Sequence, residues 1–155
     1  MRLQEQKKQN VIIAFGKQLI LVTFLPNGSR AFVTNENDGT LSVIDTASLE
    51  VTGTIPFGEG MKPMGQAMSP DGSRLYVTTG RGKKLFVIDP SANSVLASFE
   101  VGNRPWGVGL SPDGKLAFTA NGPSNDVSIV DLEKQSVIKK IKAGDRPWGV
   151  LISAR

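Results

Sequence analysis

Three cations recur at one place in this 155-residue chain: Lys62 in MKPMG, Arg104 in NRPWG and Arg146 in DRPWG. Each stands directly before a proline and three residues before a glycine. Ammonium and guanidinium groups gathered on equivalent loops focus positive potential and recognise carboxylates or phosphates. Anion binding is therefore the first chemistry these residues suggest, and ion pairs with neighbours such as Glu59 and Asp145 are the competing use. Aspartates recur as well, at Asp45, Asp89 and Asp131, closing LSVID, LFVID and VSIVD. A carboxylate at a strand end accepts from backbone N–H groups just beyond it and caps a turn, with metal ligation as the alternative. No metal site is assigned.

What the chain lacks narrows the chemistry further. It has no His and no Cys. Nucleophile systems built on Ser-His-Asp or Cys-His are excluded, as are disulfides and thiolate or imidazole metal sites. Acid–base work would fall to carboxylates, lysines, Tyr76 or a bound cofactor. No carboxylates pair at a useful spacing, and no cofactor is expected.

The charge balance, 18 Lys and Arg against 14 Asp and Glu for a net +4, is too small to argue for nucleic acid. Basic runs at Lys7-Lys8, RGKK (Arg81 to Lys84) and KKIK (Lys139 to Lys142) are not interleaved with aromatic rings as a base-stacking surface would be. They read as solvated loops and strand edges, where lysine discourages sheets from pairing edge to edge. The most apolar stretch, NVIIAFGKQLILVTFL (Asn10 to Leu25), is broken by Gly16-Lys17-Gln18 and falls short of the roughly 18 residues of a membrane span. The polar start MRLQEQKKQ has no apolar run leading to a small-residue cleavage site, so no intact signal peptide is expected.

A repeat positions the candidate residues. LPNGSRAFVTNENDGTLSVIDTASLEV, SPDGSRLYVTTGRGKKLFVIDPSANSV and SPDGKLAFTANGPSNDVSIVDLEKQSV align, with Pro26, Pro70 and Pro112 stepping by 44 and then 42 residues. AFVTN, LYVTT and LAFTA are short runs of β-branched and aromatic residues, and the Asp-terminated segments alternate as strands do. PNG and PDG are turn sequences. Each repeat holds four strands and leaves no room for a helix.

A period of this length with four strands marks the blades of a propeller. The expected fold is all-β, a single partial β-propeller. It comprises an outer strand near 9–15, blades at about 17–57, 61–101 and 103–143, and an extra inner strand near 146–153. Propellers close with about four to eight blades. Three blades must therefore be sealed by oligomerisation, most economically a homodimer, or belong to a larger propeller.

In this register the K/R-P segments open the innermost strand, and the cations Lys62, Arg104 and Arg146 face the mouth of the central channel. Met64 and Ile20 stand where Trp106 and Trp148 stand, so the position asks for bulk and the tryptophans read as wedges between blades. Gly65, Gly107 and Gly149 suit the crowded axis.

The tracts FVTNENDGTLSVID, YVTTGRGKKLFVID and FTANGPSNDVSIVD resemble the YVTN-type β-propeller repeat of bacteria and archaea. GNRPWGV and GDRPWGV are similar to members associated with pyrroloquinoline-quinone-dependent catabolism. The resemblance covers roughly residues 16–153 and implies a periplasmic or extracellular setting. Such propellers include surface proteins, electron-transfer partners and lactonase-like enzymes. A lactonase-like site is expected to combine acidic, His and Arg groups, and its His has no counterpart here. The expected function is a non-catalytic scaffold for protein or ligand binding. The alternative is a lactonase-like hydrolase or an accessory protein of a quinoprotein oxidation system. Near-equivalence of the repeats favours the scaffold, because a catalytic site singles out one blade.

Overall fold

Alternating apolar runs punctuated by Pro, Gly and Asn form antiparallel strands throughout the computed structural model, which describes residues 18–153. The outer strand expected near 9–15 lies outside the described residues. Blade 1 comprises β1 (Leu19–Phe24), β2 (Arg30–Asn35), β3 (Thr40–Asp45) and β4 (Glu50–Pro56). Blade 2 comprises β5 (Pro63–Met68), β6 (Leu75–Thr79), β7 (Lys84–Asp89) and β8 (Ser94–Glu100). Blade 3 comprises β9 (Pro105–Leu110), β10 (Leu116–Asn121), β11 (Asp126–Asp131) and β12 (Ser136–Lys142). Each blade is one four-stranded sheet in simple chain order. The expectation of no helix holds apart from a single 3-10 turn, Gly122–Ser124, in the loop ANGPSND, where Pro123 sets the helical φ.

The first hairpin of each blade turns on P-[ND]-G. Leu25, Ser69 and Ser111 accept from the N–H of Gly28, Gly72 and Gly114 at 2.8, 2.9 and 2.8 Å. Those glycines take φ of 72°, 72° and 69°, a region costly for other residues. Pro at the second turn position supplies the preceding φ.

The middle strands of blade 2 are buried on both faces because one face packs against blade 1 and the other against blade 3. Phe32, Leu41, Val43 and Ile55 of blade 1 pack against Leu75, Val77, Phe86 and Ile88 of blade 2. Phe57 meets Phe86 edge to face at 4.9 Å. Between blades 2 and 3 the contact is made by Tyr76, Leu85 and Val87 with Val108, Ala117 and Val130. Full burial of each large apolar side chain contributes about 1.5–3 kcal/mol, so these two interfaces hold the blades together. Outer strands β4, β8 and β12 are mostly exposed. Their ladders slip by one residue at the same place in every blade, beside Val43, Val87 and Ile129. Such a bulge adds twist and spoils the outer edge as a template for further strands.

The two flanks differ. Ala31, Val33 and Ile44 are buried on the face of blade 1 that looks away from blade 2, so that flank is not bare. In blade 3, Phe118, Val127 and Ile129 occupy the places of Phe32, Leu41 and Val43, yet they are only half-buried. No further blade stands against them among the described residues.

Candidate functional site

Glycine lets the inner strands converge. A Cβ on Gly65 would lie 2.6 Å from the Trp106 carbonyl oxygen and 2.9 Å from the Gly107 Cα. A Cβ on Gly107 would lie 2.6 Å from the Trp148 carbonyl oxygen and 2.7 Å from the Gly149 Cα. The tail after β12 thus runs beside β9 as β9 runs beside β5, in the place of a fourth blade's inner strand. It is not a β-strand, because the described residues offer it no ladder partner. Gly149 has nothing within 4 Å of its would-be Cβ, and no further inner strand stands beside it among the described residues.

Threonines tie successive blades. Thr34 Oγ1 accepts from the Leu21 N–H at 3.2 Å and donates to the Met64 carbonyl of the next blade at 3.0 Å. Thr78 Oγ1 accepts from the Gly65 N–H at 2.9 Å and lies 3.4 Å from the Trp106 carbonyl. Blade 3 has Ala120 at this position and cannot tie the tail in the same way. Instead the Arg146 N–H donates to Asn125 Oδ1 at 2.9 Å.

The converging strands enclose an axial groove of about 280 Å3, lined by Ile20, Met64, Trp106, Trp148, Gln66 and Val108 with the intervening glycines. The first four are register-equivalent, one from each inner strand and one from the tail. Trp106 lies over Gly122, where a Cβ would penetrate its ring. The Trp106 and Trp148 rings stack at 4.3 Å between centroids and 25° between planes, and Trp148 remains 66% exposed. At the other end of this face Gln66 is buried. Its Nε2 donates to the Leu21 and Phe32 carbonyls at 2.7 and 3.1 Å, while its Oε1 is buried without a partner. Sequence reasoning missed Gln66. The signal was there: the other repeats carry Val22, Val108 and Val150 at that place.

The three candidate cations are not brought into one cluster by direct contact. The Arg104 guanidinium sits 5.8 Å from the Trp106 ring centroid, a cation–π arrangement. Lys62 Nζ donates to Asn37 Oδ1 at 3.1 Å, and Asn37 Nδ2 donates to Gln18 Oε1 at 2.7 Å. Arg104 and Arg146 both adopt positive φ, 50° and 47°, as does Gln18 at the equivalent point of blade 1 with 60°. Neither guanidinium pairs with a carboxylate of the described residues, where Lys134–Asp131 at 3.2 Å is the ion pair present.

Asp45 Oδ1 accepts from the N–H groups of Ala47 and Ser48 at 2.9 and 2.8 Å. Asp89 and Asp131 accept in the same way from Ser91 and Ala92 and from Glu133 and Lys134. These bonds hold all three carboxyls below the usual range: chiefly the Ser48 and Lys134 N–H groups for Asp45 and Asp131, and the Ser91 hydroxyl for Asp89. No group of acidic side chains able to hold a metal ion occurs among the described residues. Tyr76 is buried between blades 2 and 3, and that burial raises its pKa. It opens onto a separate cleft of about 530 Å3 with Asp113, Asp131 and Glu133, at the opposite end of the strands from Arg104.

Three four-stranded antiparallel sheets around a common axis make the chain part of a β-propeller. Solved structures agree at the level of fold. The hydrazine synthase of Kuenenia stuttgartiensis superposes with a TM-score of 0.78 over 95% of this chain at 24% identity. A candidate 6-phosphogluconolactonase from Bacteroides fragilis superposes with a TM-score of 0.75 over 86% of this chain at 22% identity. In both cases the chain spans 41% of the neighbour's length. No family model matches the sequence, and no curated protein sequence matches it.

Proposed function

We propose that the chain is a non-catalytic binding scaffold of the YVTN-repeat type, whose axial groove takes a small anionic ligand. The observation that carries this reading is the groove's lining, which is apolar apart from Gln66 and includes no Asp, Glu, Lys, Arg, Tyr, Ser or Thr side chain. Such a groove offers no side chain for nucleophilic or acid–base catalysis, which favours binding over turnover there. Lys62, Arg104 and Arg146 stand at the ends of the strands that form it and receive the ligand's negative charge. Support for the arginines comes from their lack of carboxylate partners among the described residues. Blades 1, 2 and 3 form one partial ring, completed by a second copy of the chain or by further blades against Phe118, Val127 and Ile129. Hydrolysis of a lactone is favoured only by fold likeness to a candidate lactonase, and no residue of the groove performs it.

The test is thermal unfolding in citrate and in inorganic phosphate, with the wild type and with Arg104→Ala/Arg146→Ala. Anion-dependent stabilisation of the wild type and its loss in the double variant are expected. Equal stabilisation of both proteins would place the anion elsewhere, and turnover of a lactone by the purified chain would replace the reading altogether.

A further inference from the structure

Resting on that reading, we infer that the ligand is a small aromatic carboxylate of about two fused rings that carries a ring N–H or O–H donor. Four features of the groove converge on this class. Gln66 Oε1 is a buried acceptor left without a donor, while the Nε2 of the same amide is fully used on two backbone carbonyls. Buried polar groups without partners are rare in folded proteins; Asn35 Oδ1 is a second one, but only Gln66 lines the groove. An acceptor is satisfied by a donor, so the ligand brings an N–H or O–H group to this point.

The second feature is the tryptophan pair. Trp106 and Trp148 are stacked, and Trp148 is 66% exposed despite being held against its partner. A large aromatic face stacked on one side and open on the other suits a further ring in offset stacking. Volume is the third. The open groove holds about 280 Å3, roughly twice the ~150 Å3 apolar cavity that accommodates benzene, which is room for two fused rings.

Charge is the fourth. The Arg104 guanidinium lies beside the Trp106 ring, and Arg146 is two residues before Trp148. Neither is neutralised by an ion pair among the described residues, and no acidic side chain lines the groove to repel an anion. A guanidinium fork prefers a carboxylate. Ring, donor and carboxylate are thus specified by different residues.

Isothermal titration of the full chain with four probes separates these features: indole-3-acetate has all three, 1-methylindole-3-acetate lacks the donor, 3-methylindole lacks the carboxylate, and acetate lacks the ring. Indole-3-acetate is expected to bind, with at least tenfold weaker binding for each of the other three. Arg146→Ala is expected to weaken indole-3-acetate about tenfold without lowering the melting temperature, and Trp148→Ala to weaken it about tenfold with only the small fall in melting temperature that loss of the stack on Trp106 brings. Gln66→Leu is expected to abolish the difference between indole-3-acetate and its N-methyl form; where that variant does not fold, the two probes on the wild type carry the donor test. Acetate or citrate binding as tightly as indole-3-acetate would overturn the aromatic class while leaving the anion site standing. Failure of every anion, ringed or not, would remove both. Light scattering in which Trp148→Ala lowers the assembly's mass, with no probe bound by the wild type, would make a second copy of the chain the occupant and overturn the inference.

Discussion

Replacing Gly65 by Ala tests the convergence of inner strands, and the chain supplies its own control. The added methyl would sit 2.6 Å from the Trp106 carbonyl oxygen, 0.8 Å short of the 3.4 Å at which ordinary contact begins. It would sit 2.9 Å from the Gly107 Cα, and both obstacles are backbone, so no side-chain rotation relieves the clash. Blades 2 and 3 must therefore separate along the axis. That strains the Thr78 hydroxyl, which lies 3.1 Å from the same point and receives the Gly65 N–H. Overpacking of this kind costs about 1–3 kcal/mol, and rigid backbone on two sides places Gly65→Ala at the upper end. For a chain of this size each kcal/mol moves the melting temperature by about 2–4 °C, so a fall of about 6–12 °C is expected by differential scanning calorimetry. Gly149→Ala changes the register-equivalent residue, whose Cβ would meet nothing within 4 Å, and should shift the melting temperature by less than about 1 °C. A Gly65→Ala protein as stable as the wild type would refute the close approach of the inner strands. Equal losses from Gly65→Ala and Gly149→Ala would show that another inner strand packs against the tail.

Other consequences follow from the same geometry. Thr78→Val keeps the shape but orphans the buried Gly65 N–H, and should cost about 1–3 kcal/mol in urea unfolding; Ala120→Thr, which restores the tie missing in blade 3, should slow amide exchange in residues 148–150. Asp71 has its pKa lowered from 3.8 to about 2 by the Ser69 hydroxyl first and then by the Ser73 N–H and hydroxyl. A carboxyl depressed in the folded state stabilises fully above 3.8, and that contribution disappears as pH falls through about 2. The melting temperature should therefore drop across that window, and Asp71→Asn should flatten the drop. Light scattering should give a mass above that of one chain, because Phe118, Val127 and Ile129 are left half-buried on one flank; Phe118→Glu should lower the mass.

Blade architecture was legible in the sequence because its causes are local. Alternation in AFVTN and LSVID, the φ fixed by Pro26, Pro70 and Pro112, and the glycines that follow them act within a few residues. Repetition then multiplied a weak signal by three. The candidate cations were legible as recurring residue types, but their surroundings were not. That Lys62 bonds Asn37 and that Trp148 stacks on Trp106 depend on segments 25 and 42 residues apart meeting near the axis. The unpartnered oxygen of Gln66 was invisible for the same reason, since the carbonyls that hold the Nε2 of that amide belong to β1 and β2 of another blade. Local pattern thus determined what each blade is, whereas the groove exists only where separate inner strands approach closely enough for a glycine to be required, and that distance is set by packing between blades.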